Sequence, residues 1–74
     1  MIVTVYTKPG CGPCRATQRA LTAAGIDFRA VDLTANADAL AHVRQLGYSS
    51  APVVEASATH WAGFQPDKII ALKS

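Results

Sequence analysis

The first third of the chain passes from a strand pattern through a turn into a helix pattern, and this order restricts the fold most. Residues 2–6 are mainly β-branched or aromatic and predict a strand that ends at the turn of residues 8–10. Residues 12–24 have a helical composition, and Gly25 is placed to cap them. The alternating residues 27–33 predict a second strand. Because such a unit joins parallel strands by a right-handed crossover, it predicts an α/β domain.

The remaining residues predict one helix, two strands and a final helix. Apolar residues share one face of a helix over 36–46, and the segments 51–56 and 59–61 predict strands joined by a tight turn near Ser57. Pro66 opens the last helix. Its residues expected to face inward are Ile69, Ile70 and Leu72. The order β-α-β-α-β-β-α predicts one domain over residues 1–74, a four-stranded mixed sheet flanked by three helices.

Composition excludes several classes of function. The 74 residues suffice for one domain, and 50% are hydrophobic, which argues against disorder. The net charge of +2 is too small to indicate nucleic-acid or membrane binding. No apolar run approaches the roughly 20 residues of a membrane span, and residues 1–6 lack a secretory pattern. We therefore expect a cytoplasmic protein and a monomer.

The only two cysteines, Cys11 and Cys14, are three positions apart. A bridge across so short a loop stabilises by about 2 kcal/mol in the chain-entropy model, so redox exchange explains the pair better than a structural disulfide does. A zinc site is the first alternative, but His42 and His60 are 18 positions apart and on different predicted elements. Ligation of an iron–sulfur cluster would need external ligands. We expect no metal and no cofactor beyond the cysteine pair.

The reactive form of a cysteine is its thiolate, so the site must lower a thiol pKa from about 8.5 towards 7. Cys11 precedes the predicted helix, where unpaired backbone N–H groups and the helix dipole favour an anion. A local charge of +3 surrounds the cysteines, because Lys8, Arg15 and Arg19 precede the first acidic residue. The residues predicted to support the thiolate are Lys8, Gly12 and Pro13, the last by stiffening the loop.

The two cysteines are predicted to have different roles. Cys14 lies on the same helical stripe as Thr17, Leu21 and Ala24, so we expect it to be buried. Cys11 precedes the first turn and is expected to be exposed. Cys11 should therefore attack a substrate disulfide, and Cys14 should resolve the mixed disulfide.

The motif Cys-Gly-Pro-Cys at a strand-to-helix turn resembles the thioredoxin active site, and the preceding Thr7-Lys8-Pro9 in so short a chain looks more like glutaredoxin. The segment Ala51-Pro52-Val53 stands where both families place a cis-proline beside the cysteines. The resemblance therefore implies a thioredoxin-like fold, a cis bond before Pro52 and an Ala51 backbone that pairs with an extended substrate segment.

The segment 60–68 is similar to the Trp-Ser-Gly-Phe-Arg-Pro signature of the NrdH-redoxins, with Ala62 in place of serine and Gln65 in place of arginine. The dipeptide Gly12-Pro13 is also unusual for them. The resemblance implies an electron donor to ribonucleotide reductase that thioredoxin reductase re-reduces. It also implies no glutathione site, since the Gly-Gly-x-Asp pattern is missing and Phe64 would crowd its place.

Several side chains are predicted to serve the core or the partner surface. Trp61 is expected to pack with its indole N–H hydrogen-bonded, or otherwise to contact a partner. Phe64 beside Gly63 is expected either in an exposed docking patch or in the core. Tyr6 is expected in the core, and structural roles are expected for Tyr48, His42 and His60. Three other functions remain open: a glutathione-dependent glutaredoxin, a metal or cluster carrier, and a general thioredoxin.

Overall fold

Four short strands and three helices alternate in the computed structural model, which describes residues 2–73. The strands are β1 (Thr4–Thr7), β2 (Arg29–Asp32), β3 (Val53–Ala56) and β4 (Thr59–Ala62), and the helices are α1 (Gly12–Ala23), α2 (Ala37–Gln45) and α3 (Pro66–Lys73). The sheet order is β2-β1-β3-β4, with β1 and β2 parallel and the other neighbours antiparallel. The predicted element order and mixed sheet are confirmed.

Helix α1 begins and ends where its sequence predicts. Cys11 is the N-terminal cap, Pro13 lies in the first turn where its missing N–H costs nothing, and Ala24 closes the last turn. Gly25 follows with a φ of 73°, a conformation that a residue without a Cβ adopts freely. The buried stripe of α1 consists of Cys14, Thr17 and Leu21, as the helical spacing predicts.

Helix α2 begins at Ala37 because the side chain of Asn36 accepts a hydrogen bond from the Ala39 backbone N–H at 3.0 Å. The chain leaves the helix through Gly47, whose φ is 95°. Ala39 and Val43 are the buried residues of this helix. They pack against one face of the sheet and form a core cluster with Tyr6 and Val53, which confirms the prediction that Tyr6 belongs to the core.

The opposite face of the sheet carries the larger core, because successive strand residues point to opposite faces. This core is closed by α1 and α3, and its largest buried members are Val3, Val5, Leu21, Val54, Trp61 and Ile69. Two predictions about it are wrong. Ile70 is 65% exposed, because it follows the buried Ile69 and turns to the other side of α3. Trp61 is buried, yet its indole Nε1 finds no hydrogen-bond partner within residues 2–73, since apolar side chains surround the ring.

Candidate active site

The two sulfurs lie at the N-terminus of α1, where the chain leaves the end of β1. Cys11 has an extended backbone as the cap of the helix, and it forms a disulfide with Cys14 across a Cα–Cα distance of 5.2 Å. The Cys14 backbone N–H donates to the Cys11 Sγ at 3.1 Å. A backbone donor of the first helical turn therefore already points at the sulfur that is predicted to carry negative charge.

Cys14 is only 1% exposed, as predicted, but Cys11 is only 7% exposed, so the prediction that Cys11 is exposed is wrong for this disulfide state. Two contacts explain its burial. Its sulfur is bonded to the buried Cys14, and it lies 4.0 Å from the Ala51 carbonyl oxygen. The difference in exposure between the two cysteines is therefore smaller than expected, although Cys11 remains the more accessible one.

The segment beside Cys11 is the start of β3. The peptide bond between Ala51 and Pro52 is cis, which confirms the expectation drawn from the resemblance, and Pro52 is fully buried. The Gly63 backbone N–H donates to the Pro52 carbonyl at 2.8 Å, and Gly63 has a φ of 83°. A residue with a Cβ would be strained there, so glycine is what lets the end of β4 close on this segment.

A groove of about 220 Å³ lies next to Ala51, and its lining includes Lys8, Leu40, Val43 and the segment 48–51. Its walls are mostly apolar, and Lys8 adds one positive charge to them.

Lys8 and Arg15 are exposed, and the first turn of α1 holds no acidic residue. The support of the thiolate by Lys8, Gly12 and Pro13 stays a prediction. The predicted partner contacts of Gly63 and of Phe64, which is 42% exposed, stay predictions too.

Burial bears on the predicted partner contact of Trp61. The ring is only 3% exposed and belongs to the core, so this state does not favour a direct contact with a partner.

Thr17 makes a hydrogen bond that the sequence did not predict. It is fully buried behind Cys14, and its Oγ1 donates to the Pro13 carbonyl at 2.9 Å, which fixes the turn between the cysteines.

A cluster of polar side chains spans the sheet face that α2 covers. Glu55 accepts a hydrogen bond from the Tyr6 hydroxyl at 3.1 Å and lies 2.8 Å from the His42 Nε2. The Tyr48 hydroxyl lies 2.6 Å from the His60 Nδ1. The hydrogen bond with His42 lowers the pKa of Glu55, and burial together with the Glu55 hydrogen bond raises the pKa of Tyr6. Both histidines thus have contacts of the structural kind that we predict.

The lowered pKa of Glu55 makes a prediction about acid stability. A carboxyl group whose folded-state pKa is below its ordinary 4.5 stabilises the fold above that pH and loses this contribution as the pH falls through the folded value. We expect Glu55→Gln to lower the free energy of unfolding by about 0.5–1 kcal/mol at pH 6. Urea unfolding at pH 6 and pH 3 should show the two proteins converging at the lower pH, and an equal difference at both would contradict the assignment.

Within residues 2–73, no three His, Cys, Asp or Glu side chains stand together as metal ligands. Among the helices of that range, none has the length and the apolar character that crossing a bilayer requires.

Known proteins resemble this chain over nearly its whole length. The sequence profile of the Glutaredoxin family matches residues 3–61. The chain is 53% identical over 70 residues to the Gene 56 protein of Mycobacterium phage L5, covering 90% of this chain and 67% of that protein. It is 39% identical over 69 residues to the glutaredoxin-like protein NrdH of Salmonella typhimurium, covering 93% and 85%.

A solved structure supports the same relationship. The NrdH-redoxin from Escherichia coli, a glutaredoxin-like protein described as having a thioredoxin-like activity profile, superposes with a TM-score of 0.93 at 38% identity and covers 97% of this chain and 95% of its own. The predicted thioredoxin-like fold is thereby confirmed.

Proposed function

This chain belongs to the glutaredoxin family, among its glutaredoxin-like NrdH proteins, and from that premise we propose that it donates electrons to ribonucleotide reductase and is re-reduced by thioredoxin reductase. Its thiol–disulfide oxidoreductase class follows from the family and from the Cys11–Cys14 pair. The observation that carries the proposal is the placement of this pair at the start of α1, with one sulfur sealed in the core and the other at its margin.

The first step uses Cys11 as a thiolate. The sulfur attacks one sulfur of the substrate disulfide, that bond breaks, and the other substrate sulfur leaves as a thiolate. The Cys14 N–H, 3.1 Å from the Cys11 Sγ in the disulfide form, is a donor suited to the anion. The exposed Lys8 and Arg15 add positive charge near the same helix end.

The second step uses Cys14 to release the product. Its thiolate attacks the Cys11 sulfur, the mixed disulfide breaks, and the substrate departs with both of its sulfurs reduced. Two electrons have then left the protein, and the Cys11–Cys14 disulfide remains. Within residues 2–73 no carboxylate is buried, so the proton of Cys14 passes to a group that solvent or the partner supplies. Re-reduction reverses the same two exchanges with a dithiol partner.

The substrate segment is proposed to lie along Ala51. Its carbonyl oxygen is 4.0 Å from the Cys11 Sγ, so a strand paired with this backbone brings its own sulfur to the reacting atom. Phe64, 42% exposed, borders the segment through Gly63, whose N–H binds the Pro52 carbonyl. An exposed aromatic ring at this point is suited to a protein partner and obstructs a small charged tripeptide such as glutathione.

A coupled assay tests the electron source. With NADPH and a disulfide substrate, we expect turnover with thioredoxin reductase and at least about tenfold less with glutathione and glutathione reductase. A tenfold difference corresponds to about 1.4 kcal/mol between the two reductants, which a missing glutathione site readily supplies. NADPH oxidation at 340 nm, followed in parallel reactions, measures both routes.

Phe64→Gly is the variant that probes the obstruction. If the ring blocks glutathione, the variant gains turnover with the glutathione system, while Ile70→Gly, which removes another exposed apolar side chain, does not. Equal turnover of the unmodified protein with both reductants would contradict the NrdH-type function in favour of a glutathione-dependent glutaredoxin.

The proposed thioredoxin reductase route also implies where the protein acts. We propose that it acts in the cytoplasm, where thiols are kept reduced.

A further inference from the structure

We propose that His42 and Glu55 are positioning residues for the partner: they hold α2 and segment 47–51 in the place that shapes the groove beside the disulfide. The inference rests on the proposed function only in taking the groove as the surface that a disulfide partner meets. Neither side chain contacts the sulfurs.

The contact between the two residues joins a helix to the sheet. His42 lies in α2 and Glu55 in the central strand β3, and their Nε2 and Oε1 atoms are 2.8 Å apart. An ionised carboxylate only accepts, so His42 donates from Nε2. A hydrogen bond to a charged acceptor is stronger than one between neutral groups, so this contact ties the helix to the sheet.

The strand register fixes what else faces this contact. Arg29, Thr4, Glu55 and His60 form one row across all four strands, on the face that α2 partly covers. The Tyr6 hydroxyl donates to the same Glu55 oxygen from β1, and the Tyr6 and His42 rings lie 5.8 Å apart. His42 thus faces one carboxylate and one phenol, with His60 opposite Glu55 on β4.

The position of α2 determines the shape of the groove. Leu40 and Val43 of α2 line the groove, and the segment that follows α2 lines the rest of that side. The segment is tied to the helix end, because Gly47 N–H donates to the Arg44 carbonyl and Tyr48 N–H to the Val43 carbonyl, each at 3.0 Å. A shift of α2 on the sheet therefore moves Ala51, whose carbonyl lies against Cys11.

A second contact holds α2 and the segment 47–51, which together form the α2 unit, on the sheet. The Tyr48 hydroxyl lies 2.6 Å from the His60 Nδ1, and the two rings meet edge to face at 5.5 Å. The α2 unit is thus attached to the hairpin of β3 and β4 at two points, one through each histidine. The side chains of His42 and Glu55 are 42% and 31% exposed, so a partner can reach the first of these contacts directly.

The first experiment uses the oxidised protein, the state that the structure describes. Amide hydrogen exchange of segment 47–51 is measured by mass spectrometry at neutral pH and corrected for intrinsic rates. We expect His42→Ala and Glu55→Ala each to lower the protection of this segment about two- to fivefold, the range of an exposed charged contact. Asp27→Asn, which removes an exposed carboxylate elsewhere, should keep the protection of the unmodified protein.

The second experiment measures the oxidised protein as a substrate of thioredoxin reductase with NADPH. The ratio of the KM of His42→Ala to that of the unmodified protein should be about two to five, with kcat unchanged. A KM ratio near 1, or an effect confined to kcat, would overturn the inference, as would unchanged exchange in both variants. Absence of turnover for every protein would refute the proposed reductase route, while the exchange data would still decide this inference.

Discussion

Cys11→Ser is expected to lower dithiol turnover by at least about 10³-fold, because a serine hydroxyl is not ionised at neutral pH and the attacking thiolate is lost. The fold should persist, since the side chain caps α1 and serine is itself a favoured cap. Turnover in the thioredoxin reductase assay, with far-UV circular dichroism as a check on folding, measures the effect. Retention of more than a tenth of the activity would disprove the nucleophilic role of Cys11.

Cys14→Ser should act at the second step. The variant can still attack a substrate disulfide but cannot release the product, so a mixed disulfide accumulates and appears as a mass increase in non-reducing electrospray analysis. The double variant Cys11→Ser, Cys14→Ser is the matched control and should give no adduct. Full dithiol turnover by Cys14→Ser would show that the roles of the two cysteines are assigned wrongly.

Ile69→Ala is expected to destabilise the protein by about 2–5 kcal/mol, while Ile70→Ala changes the free energy of unfolding by no more than about 0.5 kcal/mol. The two neighbours in α3 make the same chemical change, but Ile69 is 1% exposed in the core and Ile70 is 65% exposed. A domain of 74 residues has little stability to spare, so Ile69→Ala should lower Tm by at least about 10 °C.

Thermal and urea unfolding of both variants measure this difference. Ile70→Ala also controls for the removal of a β-branched residue from a helix. If both variants lost equal stability, Ile70 would be covered in solution by a surface of another molecule, and the expected monomer would be wrong.

Local patterns in the sequence predicted most of the architecture. The glycines after the two long helices stop them, and both Gly25 and Gly47 adopt the positive φ that such caps require. The helical stripe beginning at Cys14 placed that sulfur in the core, because the spacing of a helix is a fixed geometric property. The resemblance supplied the cis bond at Pro52, which base frequencies alone would have rejected.

Contacts between distant segments were the part that local patterns could not supply. The burial of Cys11 depends on Ala51, 40 positions away, and the cluster around Glu55 depends on the register that sets it opposite His60. The exposure of Ile70 depends on the direction from which α3 meets the sheet, because that direction decides which side of the helix is covered. Within residues 2–73 the indole N–H of Trp61 has no hydrogen-bond partner, which depends likewise on the side chains that close the core around it.

The sealed position of Cys14 limits how electrons can travel through the molecule. Only the Cys11 sulfur is accessible, so an electron donor and an electron acceptor must bind at the same small surface around it. The two cannot bind at once, and no ternary complex can form. The mechanism is then expected to be ping-pong, with one partner leaving before the other binds. Double-reciprocal plots of rate against donor concentration, at several fixed acceptor concentrations, should give parallel lines. Excess acceptor should inhibit turnover, because it competes with the donor for the same surface.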